Sequence, residues 1–298
     1  MSESNFDKTC SIEKLHLALD LLISYLGNIK NKMAFAKMTL DFPHIIHYYD
    51  EARRQKWVVP ILYSDEAMLG IDKPSGLPVI PERWHPEWPC VQSILHDRLD
   101  EKPMIVHRID AGTSGVMIFA RTAESHKNLS EQFSNHEVEK TYFAIVSGEI
   151  VGDEQMIEMP IDQHPSRDHR MMISKNGKPA LTELRVVERF RGFTLVEARP
   201  KTGRQHQIRV HLQAIGHPLI VDPVYGSQDA FFLSAIKSRM HFKKDEEERP
   251  LLNRLSLHAA SLRFRHPRTG EECVVAVDAP KDFQAVVKAL RKYTALKP

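Results

Sequence analysis

The chain has 298 residues, 42% of them apolar, enough for one large core or for one domain with a small appendage. Its 41 basic and 39 acidic side chains leave a net charge of +2, so global charge does not announce a nucleic-acid binder. Three scattered cysteines, Cys10, Cys90 and Cys273, form no Cys-x-x-Cys, and the apolar run at Leu21-Leu22-Ile23 is too short for a bilayer; the composition argues against a disulfide framework, a zinc site and a membrane span, and reads as a reduced, cytoplasmic protein.

Residues 1–10 are polar. Leu15, Leu19, Leu22 and Leu26 recur every three to four residues and predict an amphipathic helix over 12–26, stopped by Gly27. A second short helix is predicted over 33–38. A charged stretch follows from Asp50 to Lys56, and residues 1–56 read as a short helical extension that packs as an arm on the main domain, 57–298. Strands are predicted over 61–63 and 68–72. Lys73-Pro74-Ser75-Gly76-Leu77-Pro78 is then a rigid loop, since two prolines fix φ and Gly76 supplies a turn. Residues 80–90, with Pro81, Pro86 and Pro89, are irregular; Trp84 and Trp88 there suit a packed loop or stacking on bases. A helix is expected over 92–99.

The most informative stretch is Val106-His107-Arg108-Ile109-Asp110-Ala111-Gly112-Thr113-Ser114-Gly115, which runs into an apolar strand over 116–120. Asp110 is the only acid between His107 and Arg121. A lone carboxylate among bases, just before a strand, suits an active site or a simple Asx turn. Thr122 is placed to cap a helix over 123–135, with Leu129 and Phe133 inward. Strands are expected over 141–147, near 171–173, over 180–188 and over 193–198, the last two joined by the Arg191-Gly192 turn. A helix is expected from Thr202 as N-cap to Gly216 as the residue past its end, with Ile208, Leu212 and Ile215 on one face and His206, Arg209 and Gln213 on another. His206 and His211 are five apart, which is not a metal-helix spacing. Residues 237–250 read as a solvated insertion. A hairpin over 255–277 turns at Pro267-Arg268-Thr269-Gly270, and a helix over 283–290 buries Val286, Val287 and Leu290.

Strands and helices do not alternate regularly. The expected class is therefore α+β, a mixed, mainly antiparallel sheet flanked by helices, with the short helical N-terminal extension. Between Glu197 and Asp222 there is no acid, while Arg199, Lys201, Arg204 and Arg209 occur with His206, His211 and His217. Such a basic stripe is the footprint of phosphate contacts, or an ordinary basic surface.

Five segments together resemble the RluA-type pseudouridine synthases: Asp72 to Val79, His107-Arg108-Ile109-Asp110 with Thr113-Ser114-Gly115, Lys140-Thr141-Tyr142-Phe143-Ala144, Pro200 to Pro218, and Leu257-His258-Ala259-Ala260 with His266 to Glu271. They occur in family order over about residues 58–280. Ile109 stands where the family usually has leucine, and Val221-Asp222 where many relatives have Gly-Asp. The N-terminal extension does not look like the S4-type RNA-binding domain of many relatives.

The resemblance implies a long, bent, mixed sheet with a catalytic cleft across its middle, and isomerisation of uridines in structured RNA. The C1′–N1 bond is broken, the base turned, and C1′–C5 formed, which requires no metal and no organic cofactor. Asp110 falls on the family's catalytic aspartate, acting as nucleophile or as base at the 2′ proton. Arg209 falls on its partner arginine, whose planar fork would grip the carboxylate through two parallel hydrogen bonds. Tyr142 falls on the active-site tyrosine. Arg108 would fill the space the flipped base leaves, and His107 would hold the loop. Arg199, Lys201, Arg204 and His206 are expected RNA contacts. The partners implied are transfer RNA, large-subunit ribosomal RNA or both, with a monomer as the working unit and no membrane. The competing readings are an RNA-binding protein without turnover and a hydrolase that releases uracil.

Overall fold

The computed structural model describes residues 45–167, 170–237 and 247–296. The helices predicted over 12–26 and 33–38, and most of the 237–250 insertion, lie outside them.

The described elements are β1 (Ile45–Asp50), β2 (Gln55–Ser64), β3 (Met68–Lys73), α1 (Val91–Arg98), β4 (Met104–Ile105), β5 (Ser114–Ala120), α2 (Ala123–Ser134), β6 (Glu139–Ser147), β7 (Glu154–Glu158), β8 (Ile161–Gln163), β9 (Met171–Ile173), β10 (Leu181–Phe190), β11 (Phe193–Pro200), α3 (Gln207–Ala214), a 3-10 turn (Leu233–Ala235), β12 (Leu257–Arg265), β13 (Glu272–Ala276) and α4 (Lys281–Tyr293). Among the described residues, eleven strands build one sheet in the order β1–β2–β3–β5–β12–β6–β11–β10–β7, with β13 on β12 and β4 on β5. Its pairs are antiparallel except β5 with β12. This is the mixed, mainly antiparallel sheet flanked by helices that the patterning predicts.

β5 shows why the sheet is covered on both faces. All seven of its residues are buried. Side chains alternate along a strand, so Met117 and Phe119 enter one core cluster with Val91, Ile94 and Leu95 of α1, while Val116, Ile118 and Ala120 enter another with Leu129 of α2. Thr122 caps α2 as expected, accepting from the Ser125 N–H at 3.1 Å. A third cluster joins Ala144, Val196 and Leu184 of the distal sheet to Ile208 and Leu212 of α3.

Two sequence readings need correction. The stretch before residue 57 is not wholly helical: β1 pairs with β2 from Ile45↔Pro60 to Asp50↔Gln55, so a strand crosses the expected boundary at 56. The charged run is the hairpin's turn, where Asp50 accepts from the Ala52 and Arg53 N–H groups. The second correction concerns α3. It starts at Gln207, with His206 as N-cap in the left-handed region (φ 55°, ψ 19°), and Thr202 is not its cap. Thr202 instead donates to Gln207 Oε1 at 2.6 Å and accepts from the Leu181 N–H at 3.1 Å. The far end is as expected, with Gly216 just past the helix at φ 84°.

The parallel β5–β12 pair rests on one glycine. Gly115 has φ 120°, and a Cβ there would lie 2.1 Å from the Ala259 carbonyl oxygen. Gly115→Ala is expected to cost on the order of 3 kcal/mol or more, or to prevent soluble folding, because backbone strain and a backbone clash coincide. Gly152→Ala, at φ 80° with open space around it, should cost only about 1–2 kcal/mol. Urea unfolding of the two variants checks the difference; equal losses would contradict it.

Candidate active site

Asp110 sits in the turn that feeds β5, next to the parallel pair in the middle of the sheet. The turn is closed by the Thr113 N–H donating to the Asp110 carbonyl at 3.0 Å. A neighbouring loop is laced to it. The Gly76 N–H donates to the Ala111 carbonyl at 2.8 Å, and Ser75 Oγ donates to the Gly112 carbonyl. Lys73 is fully buried and donates to the carbonyls of Pro74, Leu77 and Ala111 at 2.8–2.9 Å. Burial pushes its ammonium down to about 7, against the pull of the Asp110 and Asp72 carboxylates. Three carbonyl acceptors need three N–H donors, which only the charged form has, so Lys73 is read as an ammonium.

His107 holds the other side of the turn. Its Nε2 accepts from the Ile118 N–H at 3.0 Å, and its ring stacks on Phe133 with centroids 4.5 Å apart. Desolvation, then the Lys140 charge, lowers the ring to about 3, so it is neutral at physiological pH, as the acceptor role requires. Behind the strand, Ser114 Oγ meets His258 Nδ1 at 3.0 Å and accepts from Arg254 Nη1 at 3.2 Å. Arg254 is clamped by both oxygens of Asp282 at 2.7 Å. The buried His258 ring is pushed down to about 4.

Arg209, on the first turn of α3, reaches Asp110. Its Nη1 donates to Asp110 Oδ2 at 2.9 Å. Its planar fork, however, closes on Asp222: Nε to Oδ2 at 2.7 Å and Nη2 to Oδ1 at 2.9 Å. The expected two-bond grip on Asp110 is therefore a two-bond grip on Asp222 with a single bond to Asp110. Arg209 is 5% exposed and Asp222 is 0% exposed. Burial alone would raise the Asp222 carboxyl, but the Arg209 hydrogen bonds and charge, with the N–H groups of Tyr225 and Val224, bring it below its ordinary value. Burial likewise opposes the Arg209 charge, and Asp222 then Asp110 more than restore it. The Tyr225 ring lies 4.9 Å from the guanidinium.

The sequence pattern does not single out Asp222 as a site residue. The available signal was its position as the acid that closes the basic stripe.

Tyr142 on β6 lines the same cleft. Burial, then the Asp110 charge, raises its phenol above the ordinary value, so it carries its proton. His206 stands at 3.9 Å from Asp110 Oδ2 through Nε2, and its Nδ1 meets the Tyr225 hydroxyl at 2.9 Å. That hydroxyl accepts from the Met171 N–H, leaving its own proton for His206 Nδ1.

The cleft around these groups holds roughly 1160 Å³ and is walled by Arg108, Lys140, Arg204 and His206, among others. Small-molecule sites run to roughly 300–1,000 Å³, so this one has room for more than a single small ligand. Arg108 is exposed at its rim. Arg199 and Lys201 lie outside the lining. They sit on or beside β11 and pair with Glu197 at 2.6 Å and Glu183 at 2.9 Å. The basic stripe is thus split: Arg204 and His206 face the cleft, and the other two face strand carboxylates.

The arrangement is a carboxylate held by one guanidinium, beside a protonated phenol, in a basic cleft. Residues 67–214 match the family model for RNA pseudouridylate synthase. The chain is 35% identical over 261 residues to a protein of Xanthomonas campestris named ribosomal large subunit pseudouridine synthase D, covering 86% of this chain and 77% of that one. It is 36% identical to an uncharacterized RNA pseudouridine synthase of Bacillus subtilis, covering 78% and 73%. The solved structure of human RNA pseudouridylate synthase domain containing 4 superposes with a TM-score of 0.61 at 26% identity, covering 78% of this chain and 92% of that one. With the described sheet matching that fold and the sequence match running through the cleft segments, the chain belongs to the RNA pseudouridine synthase family, isomerases that act on RNA.

Proposed function

We propose that Asp110 carries the isomerisation, with Arg209 and Tyr142 as its partners, and that the substrate is a uridine in large-subunit ribosomal RNA. One observation carries the first part. Asp110 Oδ2 is held by Arg209, while among the described residues Oδ1 receives no hydrogen bond, and the side chain is 24% exposed to the cleft. One oxygen is fixed and the other is available to a ribose.

That oxygen either adds to C1′ as the C1′–N1 bond breaks, or removes the 2′ proton; both leave an ionised carboxylate as the requirement. The freed uracil, carrying its electron pair at N1, then turns to present C5; C1′–C5 forms as the Asp110–C1′ bond breaks, or as the 2′ proton is returned to C2′, and the proton lost from C5 is balanced by one gained at N1. The protonated Tyr142 forms a wall for the base and stands where the C5 proton is lost after C1′–C5 forms. Reactants and product are isomers, so nothing is oxidised and no group leaves. The target must first leave its stack, and the exposed Arg108 guanidinium is the group suited to fill the gap. His107 positions this loop. Arg204 is a cleft cation for phosphate, and His206, whose Nδ1 accepts from Tyr225, is a hydrogen-bonding contact through Nε2; Arg199 and Lys201, being paired with strand carboxylates, are proposed as weaker contributors. The name of the Xanthomonas relative supports the ribosomal assignment over transfer RNA. A monomer is proposed as the active unit. No described helix is long and apolar enough to cross a membrane, which fits action on RNA in the cytoplasm.

Asp110→Asn is expected to retain RNA affinity and lose turnover to background in nucleoside analysis of treated RNA. Near wild-type pseudouridine formation would remove the assignment, and release of free uracil by the wild type would make the protein a hydrolase.

Arg209→Lys keeps the charge but not the fork. A lysine nitrogen cannot chelate Asp222 and also aim Asp110, and a misplacement of about 1 Å costs on the order of 100-fold in rate. A loss of that order in single-turnover rate is expected with RNA affinity near wild type; unaltered turnover would contradict it.

Asp222→Asn bears on stability as well as rate. A carboxyl lowered in the folded state contributes stability that is present above its unfolded value, about 3.9, and is lost as pH falls through the folded value. The variant should lose on the order of 3 kcal/mol at pH 7, because Arg209 keeps its charge without its main partner. As pH falls below about 3.9 its unfolding curve should begin to approach the wild type's, the gap closing only below the lowered folded value of Asp222. Thermal unfolding across pH reads both; a constant gap at all pH values would contradict the ionised pair.

A further inference from the structure

We propose that Trp84, at the rim of the cleft, is a stacking platform for an unpaired nucleobase next to the target uridine. The inference deepens the RNA reading of the cleft and rests on it.

The loop over 81–89 is built to hold its shape. Pro81, Pro86 and Pro89 each fix a φ angle. Two successive turns are closed by the His85 N–H on the Glu82 carbonyl and the Trp88 N–H on the His85 carbonyl. Trp88 is the anchor. The His85 ring lies 3.9 Å from it at 5°, and the Arg53 guanidinium stands 4.3 Å from the ring. Pro89 and Cys90 are buried, and the Cys90 side chain caps α1. So one tryptophan of this loop is spent on holding it.

The other is not. Trp84 is 69% exposed, against 43% for Tyr49, the other large aromatic left open among the described residues. Trp84 lines the same cleft as Arg108 and Asp110. The Arg83 guanidinium stands 5.2 Å from its ring. Exposed apolar side chains scattered singly need no explanation. Here the exposed indole is paired with a cation, carried by an anchored loop, and set in the wall of a cleft whose other cations include Lys140 and Arg204. An aromatic face beside a basic groove is the combination that binds single-stranded nucleic acid without reading sequence. The chemistry of the site creates the demand. When the target uridine leaves its stack, a neighbouring base loses a stacking face, and a planar indole supplies another.

The test uses a fluorescein-labelled short oligouridylate and the full chain. Trp84→Ala should weaken its binding by roughly 5-fold or more in fluorescence anisotropy, while Trp84→Phe keeps most of the affinity. Intrinsic tryptophan emission of the wild type should be quenched by unlabelled oligouridylate. The quenching should vanish in Trp84→Phe, since Trp57 is buried and Trp88 already stacked. Equal affinity in wild type and Trp84→Ala, or quenching that persists in Trp84→Phe, would overturn the platform and leave the RNA reading standing. A wild type that does not bind oligouridylate at all would overturn the RNA reading of this cleft together with the platform.

Discussion

Two carboxylates share one guanidinium, and the centre of the molecule depends on it. Arg209 and Asp222 are almost wholly removed from water. Removing charges from water is costly, and a buried ion pair breaks even only when geometry and extra hydrogen bonds satisfy both partners. Asp222 meets that condition with two bonds from Arg209 and two from backbone N–H groups. The fork's remaining nitrogen is left pointing at Asp110. The internal pair is thus the fixed part. The bond to Asp110 is what that fixed part offers to the cleft.

This explains how one carboxylate can be positioned from segments far apart in the chain. Asp110 precedes β5, Arg209 lies on α3, and Asp222 follows α3 in an irregular stretch. Three further attachments hold the Asp110 turn from its own side. Lys73 and Gly76 both donate to its Ala111 carbonyl, His107 binds β5, and Gly115 lets β5 approach β12 closely enough for a parallel pair. Each of these hydrogen bonds ends on a backbone atom of the turn or of β5, so the turn's path is set before any substrate enters. Tyr142 comes from β6, which pairs with β12 on its other side from β5. The sheet order therefore delivers the phenol next to the carboxylate.

Much of this was legible in the sequence. The β5 and β6 strands, the α2 cap and the Gly216 stop follow from alternation, a threonine and a glycine at the right places. Asp110, Tyr142 and Arg209, which the resemblance picks out, line one cleft, with Arg209 bonded to Asp110. What was not legible has physical reasons. Asp222 is one acid in an irregular stretch, and nothing local says that it takes the fork. Lys201 looks like a cation of the stripe because its partner Glu183 lies far back in sequence and strand pairing brings it alongside; Arg199 turns to Glu197, the acid two residues before it on β11. Thr202 has the composition of a cap, but the Gln207 side chain reaches back to the Arg204 N–H and starts the helix five residues later. β1 escaped notice because its alternation is short and half polar, with Asp50 turned inward to hold its own turn.

Asp222 is proposed to act on catalysis only through Arg209. A double-mutant cycle on single-turnover pseudouridine formation tests it, using Asp222→Asn, Arg209→Lys and the two combined, with RNA binding measured separately. If Asp222 serves to hold the guanidinium, its loss slows the wild type but adds nothing once Arg209 is lysine, and the double variant turns over at the rate of Arg209→Lys alone. Losses that multiply in the double variant would show the two residues acting independently, and would contradict the shared-guanidinium account.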